Sequence, residues 1–161
     1  MEDWRSVQLA IVDLLGELDG VETVLDYEPA IKSFQELEPY LTTGGSKDSL
    51  NVWTVLRTGF RTERGGEAVG VPLGFKRDTD IYTIEGFVAY TGQDSMIAFN
   101  NTLERIRTQF AKHISLGSAE KGWLSGPITG GEIRKANFLG VICHHCSLQL
   151  PVQLDVNAEY E

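Results

Sequence analysis

The feature that most constrains this chain is a long alternation of apolar and polar residues near its C-terminus. From Ile142 to Val156, every second side chain is apolar except His144 and Cys146. Neighbouring side chains of a strand point to opposite faces, so a period of two over this length predicts a half-buried β-strand. Pro151 lies within it and has no amide hydrogen. This predicts either an edge strand or a proline nitrogen that faces solvent.

Two further segments alternate in the same way and predict two more strands. They are Leu50 to Thr62 and Asp80 to Thr91, and both are rich in β-branched and aromatic residues. In the first segment, unbroken alternation predicts that Phe60 lies on the face opposite Arg57 and Arg61.

Two helices are predicted from apolar residues that recur every three or four positions. One spans Trp4 to Leu18, and the other spans Asp94 to Ile114 with Asp94 or Ser95 as its cap. The glycine-rich stretch that follows predicts loops, with one short strand within residues 128–138. This order predicts an α+β fold: a mainly antiparallel sheet, with the N-terminal helix and the long helix packed on one face. The length predicts a single domain over residues 1–161.

Residues 63–79 form a long, glycine-rich connection between the first two strands. So long a connection predicts a hairpin arm that is either functional or disordered. Its surroundings combine positive charge with an aromatic ring, which is typical of protein interfaces. We predict a subunit or tube interface here, and an ordinary mobile loop is the alternative. The interface residues are Arg57, Arg61, Arg64, Phe75, Lys76 and Arg77.

Charge is unevenly distributed along the chain. Residues 1–50 carry a balance of −8, residues 51–112 carry +1, and the whole chain carries −9. Nucleic-acid binding depends on cations that replace the counterions of phosphates, so this chain is a poor candidate for it. An acidic N-terminal third and a basic arm could pair head to tail in a ring, or the acid could simply keep the surface solvated. No apolar run reaches the length of a membrane span, so we expect no membrane association.

Cys143-His144-His145-Cys146 is the most conspicuous cluster of potential metal ligands. In a strand these four side chains alternate, so each face receives one cysteine and one histidine, which is an incomplete zinc site. We therefore expect no metal and no cofactor, and a small metal-binding module centred on residues 143–146 remains an alternative. No catalytic motif is present, so we expect no enzymatic activity.

The chain also carries a succession of short elements. The opening helix is followed by a strand-like segment, Val24 to Tyr27, by Glu28-Pro29-Ala30, and by an acidic segment, Glu36 to Pro39. The two strands and the long helix come next, and the chain closes on the alternating strand, with Tyr160 near its end. In this order, over almost its whole length, the chain resembles the tail terminator (tail-to-head joining, tail completion) proteins of long-tailed bacteriophages. It departs from them at Glu28, where many members have a basic residue, and in the arm at 63–79. These departures leave open another neck or minor tail protein of the virion.

The resemblance implies a structural virion protein rather than an enzyme. It implies a homo-oligomer, a hexameric ring that caps the tail tube and joins the tail to the head connector. Its partners would be the tail tube protein and a head-completion or connector protein, with DNA passing through the channel without specific binding. It also implies assembly in the host cytoplasm and a final location in the tail-neck region of the virion.

Overall fold

The computed structural model describes residues 3–41, 46–64 and 76–154. Within these ranges, six strands form one mostly antiparallel sheet beside three α-helices, which confirms the predicted α+β class. The elements are α1 (Asp3–Gly16), β1 (Thr23–Leu25), α2 (Phe34–Leu37), β2 (Asn51–Arg64), β3 (Lys76–Ala89), α3 (Gln93–Lys112), β4 (Leu124–Ser125), β5 (Thr129–Phe138) and β6 (Val141–Leu154). None of the helices described is both long and apolar enough to cross a membrane.

The sheet has the order β1-β2-β3-β6, and β5 and β4 both pair with the remaining edge of β6. β1 runs parallel to β2, and the other pairs are antiparallel. β6 is therefore an interior strand, so of the two alternatives predicted from Pro151 the edge strand is wrong. The carbonyl of Pro151 accepts a hydrogen bond from the amide of Gly126 (2.8 Å) in the connection between β4 and β5. The missing proline donor thus falls at a break in the ladder, where it costs little.

The two sides of the sheet bury different clusters, and we name each after one residue. The Trp53 side carries Trp53, Val55, Tyr82, Ile84, Leu148, Leu150 and Val152. Residues of α1 and α3 belong to the same core cluster. The ring of Phe99 in α3 stacks on Trp53, with 5.8 Å between centroids, and the hydroxyl of Tyr82 donates to the carbonyl of Trp4 (2.8 Å).

The Phe87 side is covered at one end by the segment that follows β1. Leu25, Leu37, Val52 and Cys143 are buried there. Phe87 stacks on Phe138 of β5, with 4.3 Å between ring centroids. The segment from Leu25 to Leu50 therefore packs against this side through a small apolar cluster of its own.

A bulge in β2 overturns one prediction about its faces. Thr58 falls between the pairs Arg57↔Tyr82 and Gly59↔Ile81, so β2 has one extra residue there. An extra residue reverses the alternation beyond it. Phe60 therefore lies on the same side as Arg57, the Trp53 side, and Arg61 lies on the Phe87 side.

Several boundaries also differ from the predictions, and the helices α1 and α3 each end two residues earlier than predicted. β2 continues to Arg64 and β3 begins at Lys76, so both ends of the predicted 63–79 loop are paired strand, while residues 65–75 lie outside the described residues. β5 has ten residues rather than a short strand, because its pairing with β6 stabilises a sequence with little alternation. The cap of α3 is Gly92, since Ser95 instead accepts a hydrogen bond from the amide of Thr91 (2.9 Å).

Candidate subunit interface: the hairpin base and the Glu28–Glu85 cleft

Arg57, a predicted interface residue, is bound within its own chain. Its guanidinium lies 2.9 Å from the carboxylate of Asp80, whose side chain is only 4% exposed, while that of Arg57 is 33% exposed. The same guanidinium lies over the rings of Trp4 and Phe60, at 5.8 and 5.2 Å from their centroids. Tyr82 lies beside the same carboxylate. Burial is the main cause that raises the pKa of Tyr82, and the charge of Asp80 raises it further. Arg57 thus supports Phe60, which is 72% exposed and is the group this cluster presents to solvent.

Of the remaining predicted residues, Arg61 and Arg77 lie with Glu63 where β2 and β3 approach residues 65–75, and we call these three residues the hairpin base. Arg61 forms an ion pair with Glu63 (3.3 Å), and both side chains are more than half exposed. Arg77 lies directly opposite Glu63 in the β2–β3 register, on the Phe87 side. The backbones of Arg64 and Lys76 form the last described pair of the hairpin. Phe75 lies outside the described residues.

Residues 143–146 alternate between the two sides of the sheet, as predicted. On the Trp53 side, His144 is hydrogen-bonded to Ser95 Oγ (2.9 Å), and burial together with nearby Lys135 lowers its pKa. On the Phe87 side, His145 Nε2 lies 2.7 Å from Glu85 Oε1.

Both cysteines of this segment are free and buried, and burial raises the pKa of Cys143 to about 11. Within the described ranges, no three residues of metal-ligating type come together. Each side of the sheet receives one cysteine and one histidine, so the geometry does not favour a metal-binding module centred on residues 143–146.

Sequence reasoning missed a cleft on the Phe87 side. It has a volume of about 240 Å³ and lies between the sheet and the segment that follows β1. Its walls are apolar, and its two charged side chains are both carboxylates. The lining residues are Leu25, Glu28, Pro29, Ile31, Leu37, Val52, Thr54, Glu85, Phe87, Phe138 and Leu139.

Glu85 is positioned in this cleft by its contact with His145, whose side chain is only 7% exposed. The sequence does hold a weak signal for the cleft. Glu85 next to Phe87 on one face of β3, and Glu28 in extended geometry before Pro29, are both unexplained by core packing.

The cleft and the hairpin base lie on one side of the sheet, far apart. Glu85 and Arg77 belong to the same strand and the same face, eight residues apart, which is about 26 Å at 3.3 Å per residue. One side of the sheet therefore presents carboxylates in an apolar cleft at one end and two arginines with one glutamate at the other.

The sequence matches no protein-family profile and no functionally curated protein.

Proposed function

We propose that this chain is a structural virion protein that assembles into a hexameric ring, caps the tail tube and joins it to the head connector. The observation that carries the proposal is the separation of charge along one side of the sheet. The Glu28–Glu85 cleft at one end and the arginines of the hairpin base at the other are complementary to each other. They are also too far apart to meet within one chain.

Two different, complementary surfaces on one chain make a heterologous interface. Repeated around an axis, such an interface makes a ring when the rotation between neighbours closes, and we propose closure after six copies. An apolar cleft rimmed by acid fits an apolar and basic segment, and the predicted interface residues have this composition. Arg61 and Glu63 form only an exposed ion pair, which is weak enough to be replaced by a stronger contact across an interface.

The charge of the chain also suits a ring around DNA. A passing duplex binds where cations replace its counterions, and this chain has an excess of nine acids, most of them in its first third. A channel lined by such a surface repels phosphate. DNA would then pass without being held, and the tail tube protein and the connector protein would bind the two faces of the ring.

The interface is tested by reversing charge on each of its two surfaces. Glu28→Lys in the cleft and Arg77→Glu in the hairpin should each weaken assembly, because each places like charges across the contact. The combined variant Glu28→Lys/Arg77→Glu should recover part of the assembly. Glu120→Lys, on an exposed 3₁₀ turn outside both surfaces, is the matched control.

The readout is the mass of the assembly by sedimentation velocity, with and without tail tube protein as a template. Far-UV circular dichroism shows that each variant remains folded. If both single variants assemble like the unchanged protein, the proposed interface is wrong.

A further inference from the structure

A second apolar groove lies between the C-terminal end of α3 and the connection from β4 to β5. Its volume is about 440 Å³. Phe110, Ala111 and Ile114 line it from the helix side, and Pro127 and Ile128 line it from the connection. Ile114 is about half exposed, so the groove leaves apolar surface open to solvent.

Two polar groups face this groove. Ser125 is only 7% exposed, and its hydroxyl has no hydrogen-bond partner among the described residues. A serine hydroxyl turns among three rotamers at little cost, so it can meet a polar group that enters the groove. Arg107 lies at the rim and pairs with Glu104 (2.8 Å), with both side chains 67% exposed. Such an exposed pair contributes little, so Arg107 can bind a second carboxylate.

The chemistry of the groove therefore selects an occupant with an apolar body, a polar tip and a neighbouring acid. A tyrosine beside a glutamate has these properties. The chain contains such a sequence in Glu159-Tyr160-Glu161, and residues 155–161 carry three acids and no base. This segment begins near the groove. It follows Leu154, and Val152, two residues before Leu154, is paired with Ser125.

The segment of the same chain is badly placed to enter this groove. β6 runs away from the groove as it approaches Leu154, so the chain would have to reverse. Both edges of β6 are already paired there, with β3 through Asp78↔Leu154 and with β4 through Leu124↔Gln153.

We propose that residues 155–161 of one copy bind this groove on a neighbouring copy. The Tyr160 ring packs on Phe110 and Ile114, its hydroxyl meets Ser125, and an adjacent glutamate meets Arg107. The inference rests on the proposed ring, because it needs a neighbouring copy, and it adds a second contact between subunits that is separate from the cleft.

Disulfide trapping between full-length chains tests this contact. One chain carries Tyr160→Cys and the other carries Ala111→Cys, and the two are mixed and oxidised mildly. The natural cysteines are buried and interfere little. The control partner carries Asn101→Cys, an exposed position ten residues earlier on the same helix, about 15 Å along its axis. Peptide mass mapping identifies the joined cysteines.

We expect the Ala111→Cys mixture to form roughly tenfold more of the mapped dimer than the control, because a docked pair has a high effective concentration. A yield equal to the control would overturn the inference. So would a chain carrying both Tyr160→Cys and Ala111→Cys that closes its disulfide within one chain in preference to between chains.

Native mass measured on the same samples separates the two proposals. An intact assembly without the trapped dimer rejects the tail contact and leaves the ring. A single chain at every concentration, even with tube protein present, rejects both.

Variants at Tyr160 give a graded second readout. Tyr160→Ala should weaken assembly more than Tyr160→Phe, which keeps the ring and loses only the hydroxyl. If both variants assemble as well as the unchanged protein, the proposed binding position of Tyr160 is contradicted.

Discussion

Gly86 offers the sharpest test of how the sheet is packed. It lies opposite Trp53 in the β2–β3 register, and Trp53 is completely buried. A Cβ atom at this position would lie 2.5 Å from Trp53 Cε3 and 2.6 Å from Cη2. Ordinary contacts need 3.4 Å or more, so the indole ring would have to move by about 1 Å. It is held on its other side by Phe99, and its Nε1 donates to Asn51 (2.8 Å).

Gly86→Ala should therefore destabilise the protein by about 1–3 kcal/mol, the usual cost of overpacking a core. In a chain of this size that lowers the melting temperature by roughly 3–10 °C. Urea unfolding followed by circular dichroism measures the free energy directly. Gly16→Ala is the matched control, because a Cβ there meets no atom within 4 Å, and it should be neutral or slightly stabilising.

A second substitution identifies the clash. Trp53→Phe removes the part of the indole ring that the new methyl group meets. Gly86→Ala should then cost less in the Trp53→Phe background than in the unchanged protein, a coupling visible in a double-mutant cycle. An unchanged cost, or a Gly86→Ala protein as stable as the unchanged one, would refute the described packing.

Three further predictions concern buried polar groups. Burial lowers the folded-state pKa of His144, so the contribution of the neutral ring to stability is complete above about pH 6.5 and is lost as the pH falls through the folded pKa. Lys135 lowers the same pKa, so Lys135→Met should reduce the loss of unfolding free energy between pH 7 and pH 5. With its pKa raised to about 11, the buried thiol of Cys143 should resist a thiol reagent at pH 8 until denaturant is added, and rapid native labelling would contradict this. Asp80→Asn should destabilise the protein by about 1 kcal/mol in urea unfolding, since Arg57 is partly solvated, and no loss would mean that the pair contributes nothing.

The periodicity of the sequence predicted the long strands and both long helices, because each buries one face along much of its length. It failed where pairing rather than burial decides the structure. The bulge at Thr58 has no signature in the alternation, so the sides of Phe60 and Arg61 could not be inferred from it. β5 is stabilised by pairing with β6 although most of its side chains are exposed.

The candidate site also has one part that the sequence predicted and one part that it did not. The basic hairpin could be predicted because its charges are adjacent in sequence, and the alternation of residues 143–146 follows from strand geometry. The Glu28–Glu85 cleft could not be predicted, since its two acids are far apart in the chain. Its apolar walls form only when the segment after β1 packs on β2 and β3.

The central claim is that complementary ends of the same sheet face close a ring, and the most direct measurement is electron microscopy of the assembled protein. Negative-stain images of the unchanged chain with tube protein should show sixfold rings with a hole wide enough for a DNA duplex. Glu28→Lys and Arg77→Glu should each abolish these rings, and the combined variant should restore some of them. Single small particles in every sample of the unchanged chain, or rings that survive both single charge reversals, would contradict the account.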